Sequence, residues 1–392
     1  MRALVFERSL PRYAAARVAG SLAPGLGARV GPLSLEEVDE PSLPGPGWQR
    51  VRPRLSGICG SDLATIDGKS SRYFEPIVSF PFVPGHEVVG ELDDGRRVVV
   101  EPVLGCEARG IEPPCRGCAA GRADCCERIA FGALEPGAQT GYCADTGGGW
   151  STALVAHGSQ LHLVPQELSD EGAVMVEPAA CAVHGALRGD GNGGGGTVLV
   201  LGAGTLGLCA VAALRRYGTP GTVLAVAKYP EQRRLASELG ADVVVAPGEA
   251  RRAVRRVTGS LLVGASLSGG ADVVVDCVGS ESSLAEDLAV VRPGGLVVLL
   301  GMPSVVTVDL TPLWQRQVAL VGSYAYGSET LDSTSRRTFD LAFELVAEAR
   351  LGRLVSACYP LDRYREAIDH AANAGRRGAV KVVFDLRGEK RR

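Results

Sequence analysis

The chain has 392 residues, enough for two domains with separate cores, and its 46% apolar and 22% charged residues are ordinary for a globular protein. A net charge of −3 and an aromatic content of 5% exclude nucleic acid and anionic membranes as main partners: both need a basic surface, and single strands also need stacking platforms. The opening "MRALVFERSL" carries no cleavage-site pattern, and the most apolar run, "TVLVLGAGTLGLCAVAALRR", is broken by glycines, so neither a signal peptide nor a membrane span is expected. A cytoplasmic setting follows, in which the eleven cysteines, an odd number, stay reduced.

In chain order, the first hundred residues hold short β-like runs ("RALVF", "WQRVRPRLSGI", "RRVVVEPV") broken by Gly and Pro, which predict a β-rich domain with irregular loops. The segment Gly20 to Ser34 reads as a surface excursion without assigned chemistry. The Gly-rich "RGDGNGGGG" is a flexible turn into a second domain. From Thr197 apolar strands alternate with helical stretches: "TVLVLGAG", "LGLCAVAALRRYG", "TVLAVA", "PEQRRLASELGA", "DVVVAP", then "ADVVVDCVG", "SLAEDLAVVRPGG" and "LVVLLGMP". Continuous Val/Leu strands each followed by a helix predict an α/β fold with a doubly wound parallel sheet. Two amphipathic helices, "RRTFDLAFELVAEARLGR" and "LDRYREAIDHAANAG", and a strand, "AVKVVFDL", close the chain.

"VLVLGAGTLG" sets Gly202, Gly204 and Gly207 after an apolar strand and at the mouth of a helix. Such glycines let the backbone approach a pyrophosphate, and the helix N-terminus offers free N–H groups and a positive dipole. Thr205 and Leu206 lie within this fingerprint. Val278 and Gly301, at the ends of later strands, complete the expected cofactor-binding set. NAD would call for an acid at the end of the next strand. That strand ends at Ala227, followed by Lys228, with Arg233 and Arg234 on the next helix. With cations and no carboxylate there, a 2′-phosphate is better accommodated, which favours NADP(H) over NAD(H).

Between Gly105 and Cys126 stand five cysteines. Cys115, Cys118 and Cys126 give C-x2-C-x7-C, with Cys106 upstream across an eight-residue gap. Four thiolates and no histidine close a tetrahedral zinc sphere, the mark of a structural site. Cys125 is an alternative to Cys126, and a bare C-x-x-C redox motif lacks its thioredoxin-like context here. A second constellation is spread along the chain: Cys59 in "GICGSD" with Ser61 and Asp62, His86 and Glu87 in "GHE", and Glu177 in "MVEPAACAVHGAL". A thiolate, an imidazole and a carboxylate with an open fourth place suit a catalytic zinc. His184, apolar on both sides, reads as a structural or supporting histidine.

"GICGSD", "GHE", the four-cysteine lobe, "VEPAACAVH", "LGAGTLG" and "VRPGGLVVLLG" follow one another in a familiar order. In them the chain resembles the zinc-dependent medium-chain dehydrogenase/reductase family, in its alcohol, polyol and threonine dehydrogenase branches, from about Arg50 onward. The resemblance implies a GroES-like β-rich catalytic domain with a structural zinc lobe (1–181), a Rossmann domain (182–322) and a C-terminal return to the catalytic domain (323–392). It places the active site in the cleft between domains and implies a homodimer or homotetramer. It surrounds the catalytic zinc with Cys59, His86 and either Glu87 or Glu177, and makes Cys106, Cys115, Cys118 and Cys126 the ligands of a second, structural zinc. The family has two residues between its first two lobe cysteines and this chain has eight, which makes Cys106 the ligand to check.

The activity so implied is hydride transfer between a nicotinamide cofactor and a secondary alcohol or ketone, or a primary alcohol or aldehyde. Zinc acidifies the alcohol hydroxyl and Ser61 takes its proton. Two departures stand out. The relay-histidine position is Ala64, which leaves water or Asp62 to carry the proton out. The arginine of a polyol-binding Arg-Tyr pair is Ala325 while Tyr326 remains, which points to a bulkier or less hydroxylated secondary alcohol and to specialised biosynthesis. Trp150 and Trp314 are candidate pocket walls, with interface or core packing the alternative for each. The competing classes are a non-catalytic, zinc-stabilised nucleotide-binding protein and a zinc-free quinone or enoyl reductase. The second lacks both the cysteine lobe and the Cys59/His86 pair.

Overall fold

The strand Trp48–Gly57 organises the first of two units. Val51 and Leu55 point into the core while intervening arginines face outward, the alternation of a sheet with one face in water. The strand pairs antiparallel with Val88–Leu92, Leu154–His157 and Lys381–Asp385. The last pairing brings the C-terminal segment back to the N-terminal half, so this unit comprises Met1–Glu177 and Arg350–Arg392. The computed structural model describes residues 1–190, 194–331 and 333–389, so part of the Gly-rich turn before Thr197 lies outside the described residues.

The second unit, Pro178–Ala349, is built on a parallel six-stranded sheet. Its spatial order is Val243–Val245, Thr222–Val226, Thr197–Leu201, Ala271–Asp276, Val291–Leu299, Ala319–Gly322. In chain order this reads 3-2-1-4-5-6, the doubly wound dinucleotide-binding arrangement, with the order reversing between Thr197–Leu201 and Ala271–Asp276. The strands are Val/Leu runs because helices cover both faces. The unit runs beyond residue 322 because the helix Thr338–Glu348 packs on the helix Thr205–Tyr217. Tyr217 donates to Leu341 O at 2.6 Å and Arg216 pairs with Glu348.

The segment read as an excursion is ordered. A helix, Leu10–Leu22, and a turn of helix, Gly27–Val30, pack on the C-terminal end of the helix Gly60–Ile66. Buried Asp67 is the peg: its carboxylate accepts N–H from Gly25 at 2.9 Å and from Gly27 at 3.1 Å and meets Lys69 at 3.3 Å. The sequence concealed this helix because its outer face carries exposed Leu10, Val18 and Leu22 while small Ala16 and Gly20 make the buried contacts. Asp67→Ala leaves two buried N–H groups without acceptors and is expected to cost about 2–3 kcal/mol, read by urea unfolding.

Candidate active site and zinc centres

The helix Gly60–Ile66 starts at Cys59, whose own N–H donates to Asp62 Oδ2 at 2.9 Å. This local bond closes the helix start and fixes the thiol. His86 and Glu87 enter from the turn before Val88–Leu92, where Gly85 holds a φ of +97° that a side chain would strain. Ligand atoms of Cys59, His86 and Glu87 all lie within 4.8 Å of one another. The sequence motifs lie far apart, and the sheet brings them together.

Asp62 is the hub of this cluster. Buried at 1% exposure, it faces His86 Nδ1 at 3.5 Å and accepts from Tyr142 Oη at 3.1 Å. A carboxylate on Nδ1 orients the ring and leaves Nε2 for a metal. Burial opposes a charge on His86, but Asp62 outweighs it and raises the imidazole well above its ordinary range. Asp62 therefore positions its neighbours, with both oxygens engaged. Ser61 Oγ is buried and stands beside Tyr142.

Glu87 has a partner that the motifs did not announce. Lys381, on the returning strand, is 2% exposed, forms an ion pair with Glu87 Oε2 and donates to Ile58 O at 3.2 Å. Burial would lower the ammonium's pKa, and the charges of Glu87 and Cys59 raise it instead. Gly57 makes room for the pair: a Cβ there would sit 1.8 Å from Glu87 Oε2. Glu177 is also buried and acts electrostatically on Lys381, but it does not join the three-residue group. A thiolate, an imidazole and a carboxylate in this arrangement fit a catalytic zinc with an open position.

The cysteine lobe answers the question of the long gap. Cys106, Cys115, Cys118 and Cys126 present sulfurs within 4.8 Å of one another, and Cys106–Cys126 and Cys115–Cys126 are 3.7 and 3.9 Å apart. Zinc–sulfur bonds of about 2.3 Å at tetrahedral angles place sulfurs about 3.8 Å apart, so the four fit one zinc. Backbone N–H groups of Cys106, Cys115, Glu127 and Arg128 each reach a cluster sulfur at 3.4 Å. At Cys115 burial works against the thiolate, but N–H donors and neighbouring thiols outweigh it and bring the pKa to about 6. Cys125 is exposed and turned to Arg122 and Asp124, outside the cluster.

The eight-residue insert is held by Arg109, fully buried, whose guanidinium donates to the carbonyls of Leu104, Phe131, Leu134, Glu135 and Gly137. Burial lowers its pKa. An arginine inside a polar insert gives no sequence signal of this role.

In the second unit Gly202 has φ +94°, and a Cβ on Gly207 would lie 1.8 Å from Gly202 O. Gly204 caps the helix Thr205–Tyr217, and a Cβ there would meet nothing within 4 Å, which leaves the approach to the N-terminus open. Thr205 and Leu206 are half-buried in its first turn. Ala227 is buried at the end of Thr222–Val226, and exposed Lys228 follows it. Arg233 folds back to donate to Ala227 O at 3.3 Å and Lys228 O at 3.1 Å, while Arg234 is taken by Glu231 and Glu238. Val278 packs beside Gly202, and Gly301 against Gly279.

Other aromatic candidates find different places. Trp150 is a core residue, not a pocket wall: its indole N–H donates to Gly57 O at 3.1 Å and its ring meets Phe384 at 5.1 Å. Trp314 is exposed on the short helix Thr311–Gln315. Tyr326 is buried against Phe339, with rings 5.0 Å apart, and Ala325 before it has φ +50°. His184 is a buried structural residue, with Nδ1 2.6 Å from Glu329 Oε1.

Cys106→Ser is expected to remove one zinc per chain by atomic absorption and to lower Tm, whereas Cys125→Ser keeps the full zinc content. Tyr142→Phe removes one bond to Asp62 and is expected to lower zinc affinity at the catalytic site by about tenfold or more, read by chelator competition.

Residues 45–166 match the alcohol dehydrogenase GroES-like domain and residues 205–348 the zinc-binding dehydrogenase domain. A sorbitol dehydrogenase of Arabidopsis thaliana is 29% identical over 87% of this chain and 89% of its own. A probable D-xylulose reductase A of Aspergillus niger is 31% identical over 76% of this chain and 80% of its own. A zinc-binding dehydrogenase structure from Sinorhizobium meliloti bound to NADP superposes with a TM-score of 0.68 at 26% identity, covering 90% of this chain and 96% of that one. With its thiolate–imidazole–carboxylate cluster, its four-sulfur lobe and its glycine turn on a doubly wound sheet, the chain belongs to the zinc-dependent medium-chain dehydrogenase/reductase family of alcohol-oxidising oxidoreductases.

Proposed function

We propose that this protein is a zinc-dependent dehydrogenase of a secondary alcohol, reversible to the ketone, with Cys59, His86 and Glu87 holding the catalytic zinc and the four lobe cysteines a structural one. The carrying observation is the Cys59–His86–Glu87 cluster, with the buried hydroxyl of Ser61 on the helix that Cys59 starts. When bound, zinc acidifies a hydroxyl or polarises a carbonyl, and nicotinamide exchanges a hydride with the substrate carbon. The chain's own residues do the rest. Ser61 Oγ accepts the hydroxyl proton. Asp62 holds His86 and the Cys59 N–H in register. Lys381 offsets the charge of Glu87, so that two buried anions do not stand unopposed. With Ala64 in the relay position, the proton leaves Ser61 through water.

NADP(H) is the preferred cofactor in this reading. Support comes from the absence of a carboxylate after Ala227 and from Lys228 and Arg233 at that strand end. The substrate is less hydroxylated than a simple sugar alcohol, because Ala325 lacks the guanidinium of the polyol-type pair and Tyr326 is buried in its own core. The relatives named above are a sorbitol dehydrogenase and a xylulose reductase, so polyols belong in the test panel.

A panel of aliphatic, aryl and polyhydroxylated secondary alcohols and ketones, assayed by nicotinamide absorbance with both cofactors, tests this reading. Cys59→Ala should reduce turnover to background with the fold intact by circular dichroism, and retained activity refutes the assigned site. Arg233→Ala should lower kcat/KM for NADP by about tenfold and leave NAD nearly unchanged, and equal losses for both would remove the 2′-phosphate role.

A further inference from the structure

Asp287 is a charge-bearing residue that a dinucleotide fold does not by itself require. It lies on the helix Glu281–Val290, is 0% exposed, and neither carboxyl oxygen has a hydrogen bond among the described residues. Arg251, Arg292 and Arg316, on the elements packed around it, are engaged elsewhere, and Arg252, Arg255 and Arg256 of the helix Ala250–Thr258 are exposed. Arg251 faces Glu286 at 3.6 Å, Arg316 donates to the carbonyls of Leu267, Leu288 and Gly269, and Arg292 pairs with Asp272. An ionised carboxylate so placed would be dehydrated and uncompensated.

Ser283, one helical turn before Asp287, donates from Oγ to the carboxyl of buried Asp276 at the end of the strand Ala271–Asp276, which sets Asp287 on the helix face that meets this second acid. Two carboxylates have no hydrogen to share, and a bond forms only when one carries a proton. Asp276 accepts from Val278 N at 2.8 Å, Gly279 N at 3.0 Å and Ser283 Oγ at 2.8 Å, so it is the anion of the pair. Asp287 has no donor, so it is the acid. Burial first, and then the charge of Asp276, push the Asp287 carboxyl well above the usual range.

What Asp276 holds is the turn Cys277 to Gly279, and that turn is built against the glycine fingerprint. Cys277 N donates to Leu201 O at 2.9 Å. A Cβ on Gly202 would lie 2.6 Å from Val278 Cγ2, and one on Gly301 would lie 2.4 Å from Gly279 N. Three turns thus interlock at the carboxyl ends of adjacent strands, where the strand order reverses and dinucleotides bind in such sheets.

We propose that Asp287 is a positioning residue for the nicotinamide dinucleotide: as a neutral acid it donates a hydrogen bond to the Asp276 carboxylate and so locks the Cys277-to-Gly279 turn against Gly202 and Gly301. The proposal rests on reading that crevice as the dinucleotide site. The groups facing Asp287 are Asp276 and Cys277 and, on its own helix, Ser283 one turn before it and Glu286, with Arg251 beyond. Burial first, and then the charge of Asp276, keep the Cys277 thiol protonated, and Cys209 stands behind it. The pH sign follows. A native acid that keeps its proton while the unfolded one releases it makes stability fall as pH rises above about 4, the unfolded value, until the native group itself ionises.

The test compares the full-length wild type with Asp287→Asn, which keeps a donor but cannot titrate, and with Asp287→Ala, which removes it. Binding of NADH and NADPH is read by fluorescence from pH 6 to 9, turnover at saturating cofactor, and Tm of the cofactor-free proteins against pH. The expected results are a loss of affinity of about tenfold in the Ala variant with a smaller change in kcat, and recovery in the Asn variant to within about threefold. The Tm of the Asn variant should gain on wild type as pH rises above about 4. If Tm curves of wild type and Asn run parallel, or if Asn binds as poorly as Ala, the proposal is overturned. Should the Ala variant not fold, the Asn and wild-type curves still decide it. Failure of the wild type to bind either dinucleotide would instead sink the dehydrogenase reading, and an Ala variant that binds like wild type would sink the positioning role alone.

Discussion

The buried ion pair between Glu87 and Lys381 ties the first unit together at the point where its chemistry sits. A carboxylate and an ammonium taken out of water are each costly, and only close mutual pairing makes their burial tolerable. Lys381 comes from the returning strand, Glu87 from the turn after Gly85, and the room for both from Gly57, where no side chain could fit. Trp150 closes the same place from above by donating to Gly57 O. Neither half of the unit could hold this pair alone. The geometry of the Cys59, His86 and Glu87 cluster is therefore a property of the closed sheet, not of any one loop.

Around that pair the same device recurs at different scales: an anion or a cation buried among backbone groups that it organises. Asp62 gathers the Cys59 N–H, His86 and Tyr142. Asp67 gathers two glycine N–H groups and seats the Leu10–Leu22 helix. Arg109 gathers five carbonyls and folds the lobe insert, which lets Cys106 reach its partners despite the eight intervening residues. In the second unit Asp276 performs the same service for the turn beside the glycine fingerprint. Asp67, Arg109 and Asp276 are each one charge satisfying several backbone groups, and Asp62 joins one backbone N–H to two side chains; bonds to a charge are stronger than a comparable number of neutral contacts.

Legibility followed physical range. The parallel sheet was readable from Thr197 onward because strand burial on both faces forces continuous apolar runs, and the glycine turn because its φ and close contacts admit few other residues. The candidate zinc-binding residues were readable as residue types in a familiar order. The partners that hold them were not. Lys381 lies 294 residues from Glu87 and looks like any strand lysine, and Arg109 like a charged insert residue. Tyr142 had no motif. Trp150, for which pocket wall and core packing both stood open, is core by its neighbours.

By itself, the amino-acid sequence determined the fold class, the family and the inventory of chemical groups, because these depend on local periodicity, on glycine at constrained turns and on cysteine spacing. Tertiary structure decided which of those groups meet. It set Glu87 rather than Glu177 beside Cys59 and His86, brought Cys106 and left Cys125 out of the four-sulfur cluster, and turned Arg233 to the strand end while Arg234 paired along its own helix. Those outcomes depend on pairings across hundreds of residues and on which charges can be buried together, and no short stretch of chain carries that information.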